Sequence, residues 1–124
     1  MKKIRFSRKY PFNGNYLIRI PNCHGVYVLS YRETIIYVGL AREQFIRKRL
    51  LKHFNTSLTQ NDTLRSWLKS KHTKTSFQYK CHNQSQILEL EEYCIVMLQP
   101  LANYKLHKQK NIENNGYSGY RIEI

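Results

Sequence analysis

Two runs rich in valine and tyrosine, Gly25–Tyr31 and Thr34–Val38, stand two residues apart, and this confines the middle of the chain to a β-hairpin. Side chains of these types suit a pleated, half-buried surface. Arg32-Glu33 leaves room only for a tight connection, and Gly39 closes the second run. The rest of the chain is read around this hairpin. The spacing predicts a helix over about 43–54 with Glu43 in its first turn, where the helix dipole favours an acid. Asn61 or Asp62 can cap a second helix that carries Leu64, Trp67 and Leu68 on one face. Thr75–Cys81 reads as a third strand, and Gln84–Leu98 as a long helix stopped by Pro100. Short strands at Tyr16–Ile20 and Tyr120–Ile124 complete the pattern. The expected architecture is α+β, a small three-stranded antiparallel sheet flanked by helices. It forms one domain over 1–124, with a core at 22–104, a basic N-terminal arm at 1–21 and a C-terminal extension at 105–124.

Charge narrows the partner. The chain carries 21 Lys+Arg against 8 Asp+Glu, a formal net charge of +13. Such an excess favours a polyanion, most often nucleic acid, because neutralising phosphates releases counterions. A merely basic soluble protein or a membrane-surface binder is the alternative. No apolar run approaches the ~18–20 residues that span a bilayer, so no membrane partner is expected. Cys23, Cys81 and Cys94 are odd in number and lack Cys-x-x-Cys spacing, which argues against a disulfide framework and for a reducing, cytoplasmic setting. The pairs Cys23-His24 and Cys81-His82 leave a zinc site open, although their spacing matches no standard zinc module.

Helical projection, at ~100° per residue, singles out a few polar residues. On the first helix Arg49 and His53 fall inside the arc marked by Phe45, Ile46, Leu50 and Phe54, and as i,i+4 neighbours their heads can converge. An inward Arg paired with a core carboxylate, beside a satisfied core His, would account for them equally well. Arg47, Lys48 and Lys52 fall on the solvated side and, with Arg42, are the expected nucleic-acid contacts. On the long helix Glu91 projects among Ile87, Ile95 and Leu98, whereas Glu89 and Glu92 turn away. A carboxylate on an apolar face is costly unless paired or metal-bound, so Glu91 either meets Arg49 or serves a cation.

With Gly25-Val26-Tyr27, Tyr37-Val38-Gly39, Arg49 with His53, Glu91 and Pro100-Leu101-Ala102-Asn103 in this order, the chain resembles the GIY-YIG nuclease superfamily over roughly residues 22–104. The resemblance implies a small antiparallel sheet flanked by helices and a DNA endonuclease that hydrolyses phosphodiesters with one divalent metal, Mg²⁺ or Mn²⁺. It places Tyr27 at the scissile phosphate with Tyr37 as its partner, and Arg49 on the pentavalent phosphate. His53 would be a further contact or proton-transfer group, Glu91 the metal ligand, and Asn103 a buttress. One carboxylate plus waters and phosphate is a typical magnesium shell. Nearby cations are expected to favour the ionised form of a tyrosine whose reference pKa is near 10.

Two features depart from the family pattern. Leu40 stands where many members carry Lys, and the segment from Gly39 to Arg49 is about two residues longer than in the excision-repair branch, which brings Arg47 into competition with Arg49. Arg49 is preferred because it faces inward one turn before His53. The arm and tail carry Phe6, Tyr10, Tyr104, Tyr117 and Tyr120 among basic residues, a composition that can follow phosphates and stack on unpaired bases. It suits edge packing around a small core equally well. Substrate recognition is then expected to depend on nucleic-acid structure, a homodimer or a specificity-giving protein partner. A catalytically silent nucleic-acid-binding protein of the same fold is the rival reading, and a basic RNA-binding protein a third.

Overall fold

Alternation along the hairpin decides where every other element packs. The computed structural model describes residues 2–71, 74–109 and 112–124, so residue 1 of the arm and residues 110 and 111 of the tail lie outside the described residues. In chain order the elements are β1 (Lys3–Arg5), β2 (Tyr10–Pro11), α1 (Gly14–Leu17), β3 (Gly25–Tyr31), β4 (Thr34–Ala41) and α2 (Ile46–Lys52). They continue with α3 (Asp62–Lys71), β5 (Thr75–Cys81), α4 (Ile87–Leu98) and β6 (Arg121–Glu123), and a 3-10 segment at Leu101–Leu106 follows α4. One face of β3 sends Val26 and Val28 into a cluster with Val38, with Ile87, Leu90 and Ile95 of α4, and with Ile4. The other face sends Tyr27 and Leu29 to meet Leu17, Ile46, Leu50, Leu64 and Leu68 of α1, α2 and α3. The sheet is thus covered on both sides.

The main sheet has four strands in the order β2-β5-β3-β4, all neighbours antiparallel, rather than the three expected from the sequence. The additional strand is β2, whose two residues pair with Ser76 and Phe77 at the edge. So short a strand leaves no periodicity to read, and its Pro11 is tolerated there because an edge strand need not donate on both sides. Tyr16–Ile20 is not a strand: Asn13 accepts a hydrogen bond from the Tyr16 N–H and starts the one-turn helix α1. The C-terminal strand forms, but it pairs in parallel with β1 as a separate two-stranded sheet.

Boundaries also move. β4 runs through Gly39 to Ala41, because that glycine makes space for a ring and does not turn the chain. The first long helix is only Ile46–Lys52, since Phe45 is extended (φ −72°, ψ 152°) and Glu43 pairs with Arg42 outside it. Asn61 caps α3 by accepting from the Leu64 N–H at 3.0 Å.

The expectation against a disulfide is also corrected. Cys81 pairs in register with Gly25, two residues after Cys23, and the two cysteines are bonded with their Cα atoms 5.6 Å apart. Only Cys94, buried on α4, is free. Counting cysteines missed this because partners 58 positions apart are brought together by strand pairing alone. The neighbouring histidines are engaged separately, His24 Nδ1 with the Gln44 carbonyl and His82 Nε2 with the Tyr117 hydroxyl.

Candidate active site

Tyr27 and Gly39 are directly paired across β3 and β4. A Cβ at position 39 would lie 2.3 Å from Cζ of Tyr27 and 2.4 Å from its hydroxyl, so the ring lies across the glycine. Gly25 is needed for a different closeness: a Cβ there would stand 1.9 Å from the Lys80 carbonyl oxygen on β5. The two glycines therefore fix how the strands and Tyr27 approach one another.

A bulge aims Tyr37. Leu29 pairs with Tyr37 and Ser30 with Ile35, which leaves Ile36 as an additional residue on β4. Bulges re-aim side chains in this way, and here Ile36 and Tyr37 both pack on the Tyr27 side. The rings of Tyr27 and Tyr37 lie 6.1 Å apart. Their exposure differs sharply. Tyr27 is 0 % exposed, whereas Tyr37 is half-buried and lines two cavities, so Tyr27 lies beneath the wall that Tyr37 presents.

α2 brings Arg49 and His53 to the same place. His53 is buried at the C-terminal cap of α2, its Nε2 2.9 Å from the Tyr27 hydroxyl and its Nδ1 3.1 Å from Oγ1 of Thr59. Burial, reinforced by the Arg49 charge, holds His53 down at about 4, so the imidazole is neutral at physiological pH. Arg49 is half-buried, and its Nε is a buried donor with no acceptor among the described residues. Burial raises the Tyr27 phenol far above its ordinary range, with Tyr37 adding to the rise and Arg49 opposing it. Tyr37 is raised too, by burial and then by Glu91, again against Arg49. The expected ease of forming a phenolate is therefore reversed: desolvation outweighs the nearby cation.

Glu91 arrives from the opposite face of the sheet. It reaches the free edge at β4, where it lines a cavity of about 420 Å³ together with Tyr37, Asn61, Asp62 and Asn103. Burial and then Glu92 push its carboxyl up to about 7, against the pull of Arg49. Glu91 makes no ion pair with Arg49 among the described residues. Asp62, in the same cavity, is paired with Arg65. Asn103 closes the strand edge: its Oδ1 accepts from the Val38 N–H at 2.9 Å, and its Nδ2 donates to the Val38 carbonyl at 3.1 Å. The amide thus stands in for a fifth strand. Tyr37 also belongs to an adjoining cavity of about 440 Å³ that holds Arg49, Lys52, His53, Thr59 and Gln60. It stands between a guanidinium and a carboxylate.

The four basic residues expected to touch nucleic acid fare differently. Lys48 is exposed and Lys52 lines the Arg49 cavity. Arg42 pairs with Glu43 beside a small recess shared with Leu40 and Arg49. Arg47 turns inward and donates to the Ile20 carbonyl at 2.5 Å, tying α2 to the segment that follows α1, so that of the two competing arginines only Arg49 lies against the tyrosines. Thr59 escapes sequence reading altogether. It ends a polar loop with no periodicity, and nothing in its neighbours marks it as the partner of His53.

The α+β fold and a family match together mark a nuclease-type domain. The family model for the GIY-YIG catalytic domain matches residues 23–105, about two thirds of the chain, and the protein belongs to that family. No curated protein and no solved structure gives a significant match. Among the described residues no group of three or more His, Cys, Asp or Glu side chains converges, and no helix is long and apolar enough to cross a membrane.

Proposed function

We propose that the protein is a divalent-metal-dependent endonuclease that hydrolyses phosphodiester bonds in DNA, with the scissile phosphate seated against Tyr37. The observation that carries this reading is the position of Tyr37 between two adjoining cavities, one holding Arg49 and the other Glu91. The Arg49 guanidinium, which lines the second cavity and is in no ion pair among the described residues, would meet charge growing on the non-bridging oxygens of a phosphate there. The Tyr37 hydroxyl, neutral and open to the cavity, orients the attacking water.

The donor set fits a hard cation. Glu91 is a carboxyl that burial and then Glu92 push up to about 7, so a bound cation would offset that cost, and oxygen ligands with a largely retained water shell are what Mg²⁺ or Mn²⁺ accepts. When bound, such an ion supplies Lewis-acid stabilisation of the phosphate and the leaving alkoxide. Tyr27 acts through His53, since its hydroxyl is covered and engaged with Nε2. The chain Tyr27–His53–Thr59 fixes the imidazole in place, while burial and the Arg49 charge keep it neutral.

Nicking of supercoiled plasmid tests the assignment of the two phenols. Tyr37→Phe is expected to lower kcat by about 100-fold, the scale of a lost positioned hydrogen-bonding group. Tyr27→Phe is expected to lower it less and to shift the acid limb of the pH–rate profile, because His53 loses a partner. A larger loss in Tyr27→Phe with an unmoved profile would place Tyr27, not Tyr37, at the phosphate. DNA binding without nicking under any divalent metal would instead support the silent binding protein, for which Leu40 speaks. A cytoplasmic location accompanies the proposal only if the Cys23–Cys81 bridge is dispensable for folding.

A further inference from the structure

We infer that the recess between β2, α1 and β5 is a binding site for an unpaired nucleotide of the DNA strand, its base against tyrosine rings and its phosphate on Arg8 and Arg19. The inference rests on the nucleic-acid reading of the neighbouring site and specifies the substrate class for it. The recess has a volume of about 190 Å³ and is lined by Arg8, Tyr10, Tyr16, Arg19, Ile20 and Tyr79, with no acid among them.

Its floor is a rigid aromatic platform. Tyr10 stacks on Phe77 at 5.5 Å, and Phe77 is fully buried in the core. Tyr79 lies 6.4 Å from Tyr10 with the rings inclined by 23°, and Tyr16 lies 6.2 Å away at 47°. Two cations stand over this platform: the Arg8 guanidinium is 4.9 Å from the Tyr10 ring centre, and that of Arg19 is 5.7 Å from the ring of Tyr16. Both arginines are exposed, and neither is in an ion pair among the described residues. Aromatic faces take any base by stacking, and arginines beside them take the backbone phosphate.

Position links the recess to the phosphodiester site. Tyr10, Tyr16 and Tyr79 pack against the same side of the sheet as Tyr27 and Tyr37. The strand order β2-β5-β3-β4 separates β2 from the Tyr37 strand by three spacings, roughly 14 Å at ~4.8 Å each. Along a duplex axis that is on the order of four base-pair rises at ~3.4 Å each. A substrate that satisfies both sites carries a single-stranded segment a few nucleotides from the bond that is cut.

Fluorescence anisotropy in EDTA, where no cleavage occurs, tests this with a blunt duplex and the same duplex bearing a single-stranded tail. Wild-type protein is expected to bind the tailed duplex about tenfold more tightly, within the range of one stacked base. Arg8→Gln/Arg19→Gln, both at exposed positions, and Tyr79→Leu should abolish that preference while leaving blunt-duplex affinity within about twofold. A 2-aminopurine in the tail should be quenched by wild type and not by Tyr79→Leu. Equal affinity of wild type for the two duplexes, or an equal loss on both in the arginine variant, overturns the inference. Plasmid nicking with Mg²⁺ is read separately. A protein that nicks but shows no tail preference loses only this inference; one that prefers tails but never nicks loses only the nuclease assignment.

Discussion

Glu91 and His53 pull the stability of the fold in opposite directions as pH changes, and the sign follows from burial. Glu91, raised from 4.5 to about 7, favours its protonated form in the folded state, so the stability it contributes is full below pH ~4.5 and is lost as pH rises through ~7. His53, lowered from 6.5 to about 4, favours the neutral form, so its contribution is full above pH ~6.5 and is lost as pH falls through ~4. Each is worth at most ~3 kcal/mol, and between pH ~4.5 and ~6.5 they offset one another. Denaturant melts of the wild type should be nearly flat across that window, whereas Glu91→Gln should gain stability with rising pH. At pH 8 Mg²⁺ should raise the melting temperature of the wild type and leave Glu91→Gln unmoved, because only a ligand that binds the folded state stabilises it. Gly39→Ala acts on the same site through space alone. Its Cβ meets the Tyr27 ring at 2.3 Å, so a loss of ~1–3 kcal/mol is expected in thermal unfolding, together with the Tyr27–His53 hydrogen bond.

At the scale of elements, what the sequence carries by itself is the pattern of the long strands and helices. β3 and β5 begin and end where their β-branched and aromatic runs do; on α4, Glu91 lines the cavity beside Tyr37, whereas Glu89, equally half-buried, accepts from the Gly116 N–H. Such long periodic elements carry their own record of which side is buried. What escaped the sequence depends on contacts between elements. The two-residue strand β2 exists only because β5 offers an edge, and the bulge that aims Tyr37 appears only when two strands are aligned. Thr59 matters only because a loop folds over His53. Asn103 sits between these cases. Its motif is visible, yet its work is to satisfy Val38 at the open edge of β4, where an unpaired strand would template association. Asn103→Ala should cost ~1–3 kcal/mol, the penalty for buried backbone groups left unpaired. Concentration-dependent light scattering should rise with it; an unchanged melting curve would show that the edge is closed by other means.

At the scale of the whole molecule, a bridge, a charge and a site have to act together. The Cys23–Cys81 bond ties the start of β3 to the end of β5 across 58 residues, and closing a loop of that size stabilises by up to ~4 kcal/mol in the chain-entropy account. Cys23→Ser/Cys81→Ser is expected to melt about 10 °C below the oxidised protein, and the reduced wild type should behave like the variant. A net charge of +13 would draw DNA to the surface without choosing a bond to cut. In the proposed mechanism that choice falls to Tyr37, with Arg49 on one side and Glu91 on the other. Incubation of supercoiled plasmid with wild-type protein, Glu91→Ala and Arg49→Ala, in Mg²⁺, Mn²⁺ or EDTA, tests that convergence most directly. Wild type is expected to convert the plasmid to relaxed circles only with a divalent metal, and each variant to lose about 100-fold or more while still binding DNA. Cleavage that persists in Glu91→Ala, or in EDTA, would contradict the account.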